Sequence, residues 1–387
     1  MKRLLIPAIA MIAMTTLGAS RTSAQSMDDL NLQVHGYATQ GFIYSTNNNW
    51  DTTNSTDGSA AWTEAVVNVA AQPESKLRIG VQARYFLLGT YGNAITLDWA
   101  QADYKVNERF GFRVGKVKSP MGLLNETQDI DPAYLWILLP QSIYPIASRN
   151  STLAHNGGVA YGTVSLGDSL GKVEYRAYGG QRVVGSDDGY LQPLRDEGLS
   201  LPNGLTGPVF GGTLRWNTPV RGLMFGATES SQRASGSIIA GPYQGTLQAP
   251  QFYVPYYFGT YERNKLMVAG EYSRWASKST IQFPGAPPDI AYEDDRAFYG
   301  MASYKLLEKL TGGLYYSSSI DKQAAFTSSR FQKDWALSGR YDFNPFLYVK
   351  LEQHFVDGTK IGYSTSNNTG GYKPTTRMTL LKIGVSF

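Results

Sequence analysis

The sequence has 387 residues and no cysteine, and 42% of its residues are hydrophobic, 13% aromatic and only 17% charged. Without cysteine the chain can form no disulfide, thiolate nucleophile or cysteine-bound metal site. The first 24 residues, which we expect to be cleaved off (see below), contain Lys2, Arg3 and Arg21 and no acidic residue. Their loss leaves 32 basic residues against 31 acidic ones, so the formal charge falls from +4 to about +1. A charge this small gives no indication of nucleic-acid binding.

The first 24 residues have the organisation of a secretory signal peptide. Lys2 and Arg3 form a basic start, Leu4–Leu17 is apolar, and small residues suited to cleavage follow. The apolar run is too short for a comfortable transmembrane helix. We therefore expect residues 1–24 to be removed on export. No linker or break in composition divides residues 25–387, which we predict to form one domain.

Segments of roughly ten to thirteen residues that alternate apolar and polar side chains recur from Leu32 onward. In Lys76–Leu88, for example, Ile79 and Val81 point to one face while Gln82 and Arg84 point to the other. We predict about sixteen such strands: Leu32–Tyr44, Ala61–Ala71, Lys76–Leu88, Ile95–Val106, Phe110–Lys118, Gly158–Leu166, Lys172–Arg182, Val209–Trp216, Leu223–Ser231, Phe252–Tyr261, Leu266–Trp275, Arg296–Leu306, Lys309–Ser319, Gln332–Phe343, Phe346–Val356 and Thr376–Phe387. Short turns alternate with longer polar loops. The predicted fold is all-β, a transmembrane antiparallel β-barrel around an aqueous channel.

The last strand, which ends on Phe387, is predicted to close the barrel by pairing with the first. Closure removes the open sheet edge, and lipid makes it obligatory because hydrocarbon offers no partner to a free N–H or C=O group. The sequence here resembles bacterial outer-membrane barrels, which commonly end in Phe on such a strand. A C-terminal strand of a soluble β protein would show the same alternation.

The segment Ser119–Asn156 is too long for a simple turn, and connections of this length are usually functional. Asp131 is placed to cap a short helix with Pro132 at its first position, so we predict a helix over Ala133–Leu139. Because most of this stretch is apolar, we expect the segment to fold into the barrel, pack on the inner wall and narrow the pore. The alternative is an extracellular loop that packs on its neighbours or on a second subunit.

Around this segment the chain resembles the phosphate-selective porin O/P-like family. Three stretches carry the resemblance: Gly115–Leu123, Asn125–Thr127 and Leu139–Tyr144. The resemblance implies a sixteen-stranded, often trimeric barrel that conducts small solutes passively. In that family phosphate specificity rests on a dense ladder of pore arginines and lysines, and this chain has only a sparse one.

The polar strand faces and the inserted loop supply the candidate constriction and selectivity residues. These candidates are Lys116, Lys118, Arg78, Arg84, Arg113, Glu126, Asp129, Asp131, Arg176 and Arg340. Further charges predicted to face the lumen are Arg215, Lys350, Lys382, Glu64, Glu174, Asp342 and Glu352. The strand residues have a basic excess, which the loop carboxylates oppose, so we expect a weak preference for anions.

The sequence therefore predicts a porin in the outer membrane of a Gram-negative cell, with no enzymatic activity, cofactor or metal. Its expected partners are membrane lipid and lipopolysaccharide, the barrel-assembly machinery, small hydrophilic solutes or anions, and further copies in a homotrimer. The alternative is a barrel with a lipase or protease activity, or an adhesin or structural role. Gly167–Leu170 spells a hydrolase-like Gly-Asp-Ser-Leu, but in a predicted turn, and Ser151 with His155 is the only local Ser–His pairing.

Overall fold

Sixteen long strands follow one another around a closed antiparallel ring in the computed structural model, which describes residues 30–387. The strands are β1 Gln33–Ser45, β2 Ser59–Glu74, β3 Leu77–Leu88, β4 Tyr91–Asn107, β5 Phe110–Lys118, β6 Ala154–Ser165, β7 Lys172–Val184, β9 Leu205–Asn217, β10 Leu223–Ala240, β11 Tyr243–Arg263, β12 Leu266–Gln282, β13 Asp289–Lys305, β14 Leu310–Asp321, β15 Phe331–Asp342, β16 Leu347–Gly358 and β17 Thr375–Ser386. A two-residue strand, β8 Leu199–Ser200, pairs with the far end of β10. The predicted signal peptide lies outside the described residues.

The ring closes between the first and last strands, as predicted. Tyr37 of β1 lies opposite Ser386 of β17, and the ladder continues to Ser45 opposite Met378. Phe387 extends the closure, because its backbone exchanges two hydrogen bonds of 3.0 Å with Gly36. Every strand of the ring therefore has two neighbours, and the sheet offers no open edge to lipid.

The strand faces follow the predicted alternation. On β3 the side chains of Ile79 and Val81 are 48% and 40% exposed on the outer surface, whereas Gln82 and Arg84 are buried inside. Exposed aromatic residues also lie on the outer surface at the ends of strands that meet at the short turns, as in a membrane-interface girdle. They include Phe110, Trp216, Tyr341 and Phe346. Within residues 30–387 no helix is long and apolar enough to cross a membrane.

Strands β10 to β13 extend further than predicted on the side of the longer loops. β11 has 21 residues, about twice the 9–11 that a tilted strand needs to cross a bilayer. The stretch left between the predicted strands Leu223–Ser231 and Phe252–Tyr261 is reduced to a turn between Ala240 and Tyr243. These hairpins therefore extend beyond the bilayer and raise one side of the barrel wall at the end with the longer loops.

Candidate constriction and selectivity site

The connection between β5 and β6, residues 119–153, lies inside the barrel as predicted, and we call it the lumen loop. Its two ends are joined where it leaves the wall. Ser119 N donates to the carbonyl of Leu153 at 2.8 Å, and Asn125 Nδ2 donates to the Ser119 carbonyl at 2.8 Å. Ser119 Oγ also lies 2.8 Å from Nδ1 of His155 on β6. The loop therefore begins and ends at one point on the wall.

The helix predicted over Ala133–Leu139 is wrong. A single 3₁₀ turn, Asp131–Ala133, is followed by irregular backbone. The N–H groups of Ile137 and Leu138 each donate at 3.0 Å to the carboxylate of Glu352 on β16. In an α-helix these groups would donate to carbonyls four residues earlier. Here the buried Glu352 carboxylate on the wall accepts these N–H groups in place of the backbone carbonyls of a helix.

The apolar part of the lumen loop packs against aromatic residues of the wall. Leu135–Leu138 are all less than 9% exposed. The ring of Trp136 meets that of Tyr315 edge-on at 5.2 Å between centroids, and Tyr144 lies 6.3 Å from Tyr299. Burial of these large side chains provides a hydrophobic driving force for the loop to enter the lumen.

Asp131 attaches the loop to β16 and β17. Its two carboxylate oxygens each accept a hydrogen bond of 2.9 Å, one from Lys350 Nζ and one from Lys382 Nζ, and Tyr348 OH donates at 2.7 Å. Burial alone would raise the pKa of Asp131, but the two ammonium groups hold it well below its usual range. The residue predicted as a helix cap is therefore the centre of a buried ion cluster.

A second attachment lies on β12. Glu271 accepts the N–H of Leu123 at 2.9 Å and the hydroxyl of Tyr144 at 2.6 Å. Gly122 has φ of +63°, and a Cβ there would lie 2.2 Å from Glu271 Oε1. Only glycine lets the loop backbone approach this carboxylate so closely.

A third attachment joins the loop to β3 and β4. Arg149 donates to both oxygens of Asp98 at 2.9 and 2.8 Å, a two-point ion pair with both side chains buried. Asp129 of the loop accepts a hydrogen bond of 2.9 Å from Gln82 on β3. β3 and β12 stand eight places apart in the sixteen-strand ring, so the loop is bonded to opposite walls.

A small cavity of about 50 Å³ lies within the lumen loop, between the loop and the β1–β3 wall. Its charged lining residues are Glu64, Arg84, Asp131, Arg149 and Lys382. Arg84 pairs with Glu64 at 2.6 Å and Lys382 with Asp131 at 2.9 Å. The partner of Arg149 is Asp98, which does not line the cavity. The lining therefore has one more basic group than acidic groups.

A wider cavity of about 390 Å³ opens on the side of the longer loops. We call it the outer vestibule. Gln141 of the lumen loop lines both cavities, so the small cavity adjoins the floor of the vestibule.

Four of the residues predicted to face the lumen or to lie in its loop meet on the opposite side of the loop from the small cavity. Arg113 and Arg176 each lie 3.3 Å from the carboxylate of Glu126, and Arg215 lies 3.9 Å from it. These side chains keep 15–23% of their surface exposed, more than the anchors above. This cluster faces the part of the lumen that is nearer the short turns.

The other candidates have different positions. Strand alternation places Lys116 on the outer face with the exposed Val114, and its Nζ donates to the carbonyl of Leu97 at 2.5 Å. This differs from its predicted place at the constriction. Lys118 lies where the loop begins and donates to Asp129 at 2.8 Å. The two remaining predicted residues are Arg78, exposed at the short-turn end of β3, and Arg340, which donates to the Pro132 and Tyr134 carbonyls.

Three residues that position the loop were not predicted from the sequence: Asp98, Arg149 and Glu271. Asp98 faces inward only because the β3–β4 pairing shifts register between Gln82 and Ala83. Strict alternation does not reveal such a bulge. A carboxylate on a predicted strand, as at Glu271, was a usable signal, because a charge on a membrane strand belongs on the lumen face.

The Ser–His pairing considered from the sequence is not formed. Ser151 Oγ donates to the carbonyl of Ser148, and His155 pairs instead with Ser119. That pair lies beside the buried Val117 and Tyr178. Among residues 30–387 no carboxylate hydrogen-bonds to His155, whereas in a Ser–His–Asp triad a carboxylate orients the base.

Asp188 lies in the loop after β7, and its burial should make the stability of the folded protein depend on pH. Only 2% of the residue is exposed, and burial raises the pKa of its carboxyl group from 3.8 to about 6. The folded chain therefore holds this proton more tightly than the unfolded chain does. The stabilisation is complete below pH 4 and is lost as the pH rises through 6, by about 3 kcal/mol at most.

We expect Asp188→Asn to remove this dependence. The difference in melting temperature between the variant and the unmodified protein should grow in favour of the variant as the pH rises from 4 to 7. Circular dichroism melts across this range measure it. A constant difference would contradict the assignment to Asp188.

Comparison with known proteins supports the fold. No protein-family model matches the sequence, and no curated protein sequence matches it either. Several solved protein structures, however, match the fold. OmpT, an outer membrane protein of Vibrio cholerae, is 12% identical with a TM-score of 0.55, over 94% of this chain and 99% of that one. OmpF of Salmonella typhi, solved in complex with daunomycin, is 15% identical with a TM-score of 0.54, over 93% and 98%.

A third similar structure is the outer membrane channel DcaP of Acinetobacter baumannii, 11% identical with a TM-score of 0.52, over 94% of this chain and 99% of that one. At these identities the likeness concerns the fold. The chain is a closed sixteen-strand antiparallel barrel, similar in fold to these outer-membrane proteins, with a long loop folded into its lumen.

Proposed function

We propose that this protein is an outer-membrane porin that lets small hydrophilic solutes and ions diffuse passively through a water-filled channel. The observation that supports this most directly is the lumen loop, held by buried ion pairs to β4, β16 and β17 and by hydrogen bonds to Glu271 on β12, around a small charged cavity. The resemblance to phosphate-selective porin O/P-like proteins points the same way, and a homotrimer in a Gram-negative outer membrane is the expected form.

We further propose a weak preference for anions, set at the small cavity. Its lining has three basic groups, Arg84, Arg149 and Lys382, against two carboxylates, Glu64 and Asp131. In a narrow space with little water, one excess charge changes the local ion concentration. Among the similar structures is the anion-selective porin of Comamonas acidovorans, 11% identical with a TM-score of 0.50, over 92% of this chain and 99% of that one.

Single-channel recording in a planar bilayer tests both proposals. Purified, heat-modifiable protein should give steady ohmic current steps. In a salt gradient it should give a small reversal potential with the sign expected of a pore that prefers anions. Absence of current from folded protein would overturn the channel. A reversal potential of the opposite sign would overturn only the anion preference.

Lys118 and Lys116 form a matched pair for locating the constriction. Lys118→Gln removes a charge that contacts the loop through Asp129, whereas Lys116→Gln removes the same charge from the outer face. We expect the first to change conductance and reversal potential and the second to leave both unchanged. Equal effects of the two substitutions would contradict the placement of the loop contact at the constriction.

A further inference from the structure

The outer vestibule combines aromatic rings with an excess of carboxylates. Six aromatic residues line it: Trp50, Tyr91, Tyr190, Tyr256, Trp275 and Tyr363. Its charged lining residues are Asp51, Asp187, Glu293, Asp295, Arg195 and Lys360. The acidic groups outnumber the basic ones by two. This balance is opposite in sign to that of the small cavity beneath.

The two basic side chains are already engaged. Lys360 Nζ pairs with Asp295 at 2.6 Å. Arg195 donates to the backbone carbonyls of Ser186 and Asp187 at 2.7 and 3.2 Å. A negatively charged ligand would have to displace these contacts, so the lining does not favour an anion.

Three carboxylates, in contrast, have no cationic partner. Within residues 30–387 neither Asp51, Asp187 nor Glu293 forms an ion pair. Asp51 Oδ2 also makes no hydrogen bond in this part of the chain. Like charges around one cavity repel each other, and a cation placed between them relieves that repulsion.

The rings provide the second half of the site. Trp275 on β12 lies in an aromatic group, 5.7 Å from the ring of Tyr190 and 4.8 Å from that of Phe252. Aromatic faces attract cations, and clusters of rings bind organic ammonium groups better than they bind compact hydrated ions. A cavity of about 390 Å³ is of the size that ligand sites for small organic molecules have.

We propose that the outer vestibule binds an organic ammonium compound, with the ammonium group among the free carboxylates and the organic part against Trp275 and Tyr190. This inference goes beyond the proposed channel, because binding in the vestibule does not require conduction. A cation held there would also reduce the current through the small cavity below it.

Isothermal titration calorimetry of the detergent-folded protein tests the proposal without measuring current. The probes are benzyltrimethylammonium, benzoate and maltose. We expect saturable binding of the ammonium compound and no measurable binding of the other two. Absence of ammonium binding, or equally tight binding of benzoate or maltose, would overturn the proposal, and neither result would bear on the conductance test.

Two substitutions separate the contributions of charge and ring. Burial raises the pKa of the Glu293 carboxyl group to about 7, so binding is measured at pH 8, where this group is ionised. Glu293→Gln should then weaken binding about tenfold, because one unpaired charge is lost from a partly enclosed site. Trp275→Leu should weaken it about three- to tenfold through the lost cation–π attraction. Asp294→Asn is the control: its carboxylate is adjacent in sequence but pairs with the exposed Arg274 on the outer face. An equal effect of Asp294→Asn and Glu293→Gln would overturn the assignment.

Discussion

Replacing Asp131 with asparagine should loosen the lumen loop and raise the single-channel conductance. The substitution keeps the shape of the side chain but removes the only carboxylate that pairs, among residues 30–387, with Lys350 and Lys382. Both lysine side chains are at most 2% exposed. Breaking a buried ion pair from one side costs about 3–5 kcal/mol, because an uncompensated charge remains in a poorly solvated place. The loop can avoid that cost by moving away and letting water reach the lysines.

The conductance and the temperature at which the folded form disappears on gels both report this change. We expect Asp131→Asn to have a larger and noisier conductance and a lower unfolding temperature. A variant that also carries Lys350→Met and Lys382→Met serves as the control, since removing a whole buried ion cluster is often neutral for stability. If Asp131→Asn matched the unmodified protein in both measurements, the ion cluster would not be what holds the loop.

The barrel itself could be predicted because the membrane imposes a strict pattern. Outer residues meet lipid and inner residues meet water, so each spanning strand alternates, and β3 was predicted to within one residue, as Lys76–Leu88 against Leu77–Leu88. The constraint ends where the strand leaves the bilayer. There the outer face is also solvated, and the extensions of β10 and β11 as far as Ala240 and Tyr243 show no alternation that would mark them as strand.

The interior of the barrel was harder to predict because its contacts join distant parts of the chain. Local signals around Asp131 and Pro132 favoured a helix, but Glu352, more than two hundred residues away, accepts the backbone N–H groups that the helix would have used. No local propensity contains that information. The apolar character of Leu135–Leu138 was sufficient to predict burial inside the barrel, but not the backbone conformation in which they are buried.

The charge of the constriction shows the same limit. Alternation identified the inward bases Arg84 and Lys382, but it did not identify Arg149, which belongs to the loop, or Asp98, which faces inward through a shift in strand register. The basic excess counted from the sequence is largely neutralised by pairing of this kind. The excess charge that remains at the small cavity depends on single residues and not on the net charge of the lumen.

Replacing Arg149 with glutamine should reverse or abolish the anion preference. Arg149 lines the small cavity, and its removal leaves two bases against two carboxylates there, with the buried Asp98 now unpaired behind them. One unit charge acting over about 10 Å at an effective dielectric constant of about 40 changes an ion's energy by about 0.8 kcal/mol. Because the energy of a cation changes by the same amount in the opposite direction, the ratio of anion to cation permeability should change about fifteenfold.

Comparing Arg149→Gln with Asp131→Asn distinguishes a change in electrostatic selectivity from a widening of the pore. Both substitutions break a buried ion pair and should lower stability, but they remove charges of opposite sign from the same cavity. In a salt gradient the reversal potential should therefore move towards cations for Arg149→Gln and towards anions for Asp131→Asn. The double variant Arg149→Gln with Asp98→Asn should recover stability, since neither buried charge then remains. Shifts in the same direction for the two single variants would mean that a wider pore accounts for both, and that the small cavity is not where ions are selected.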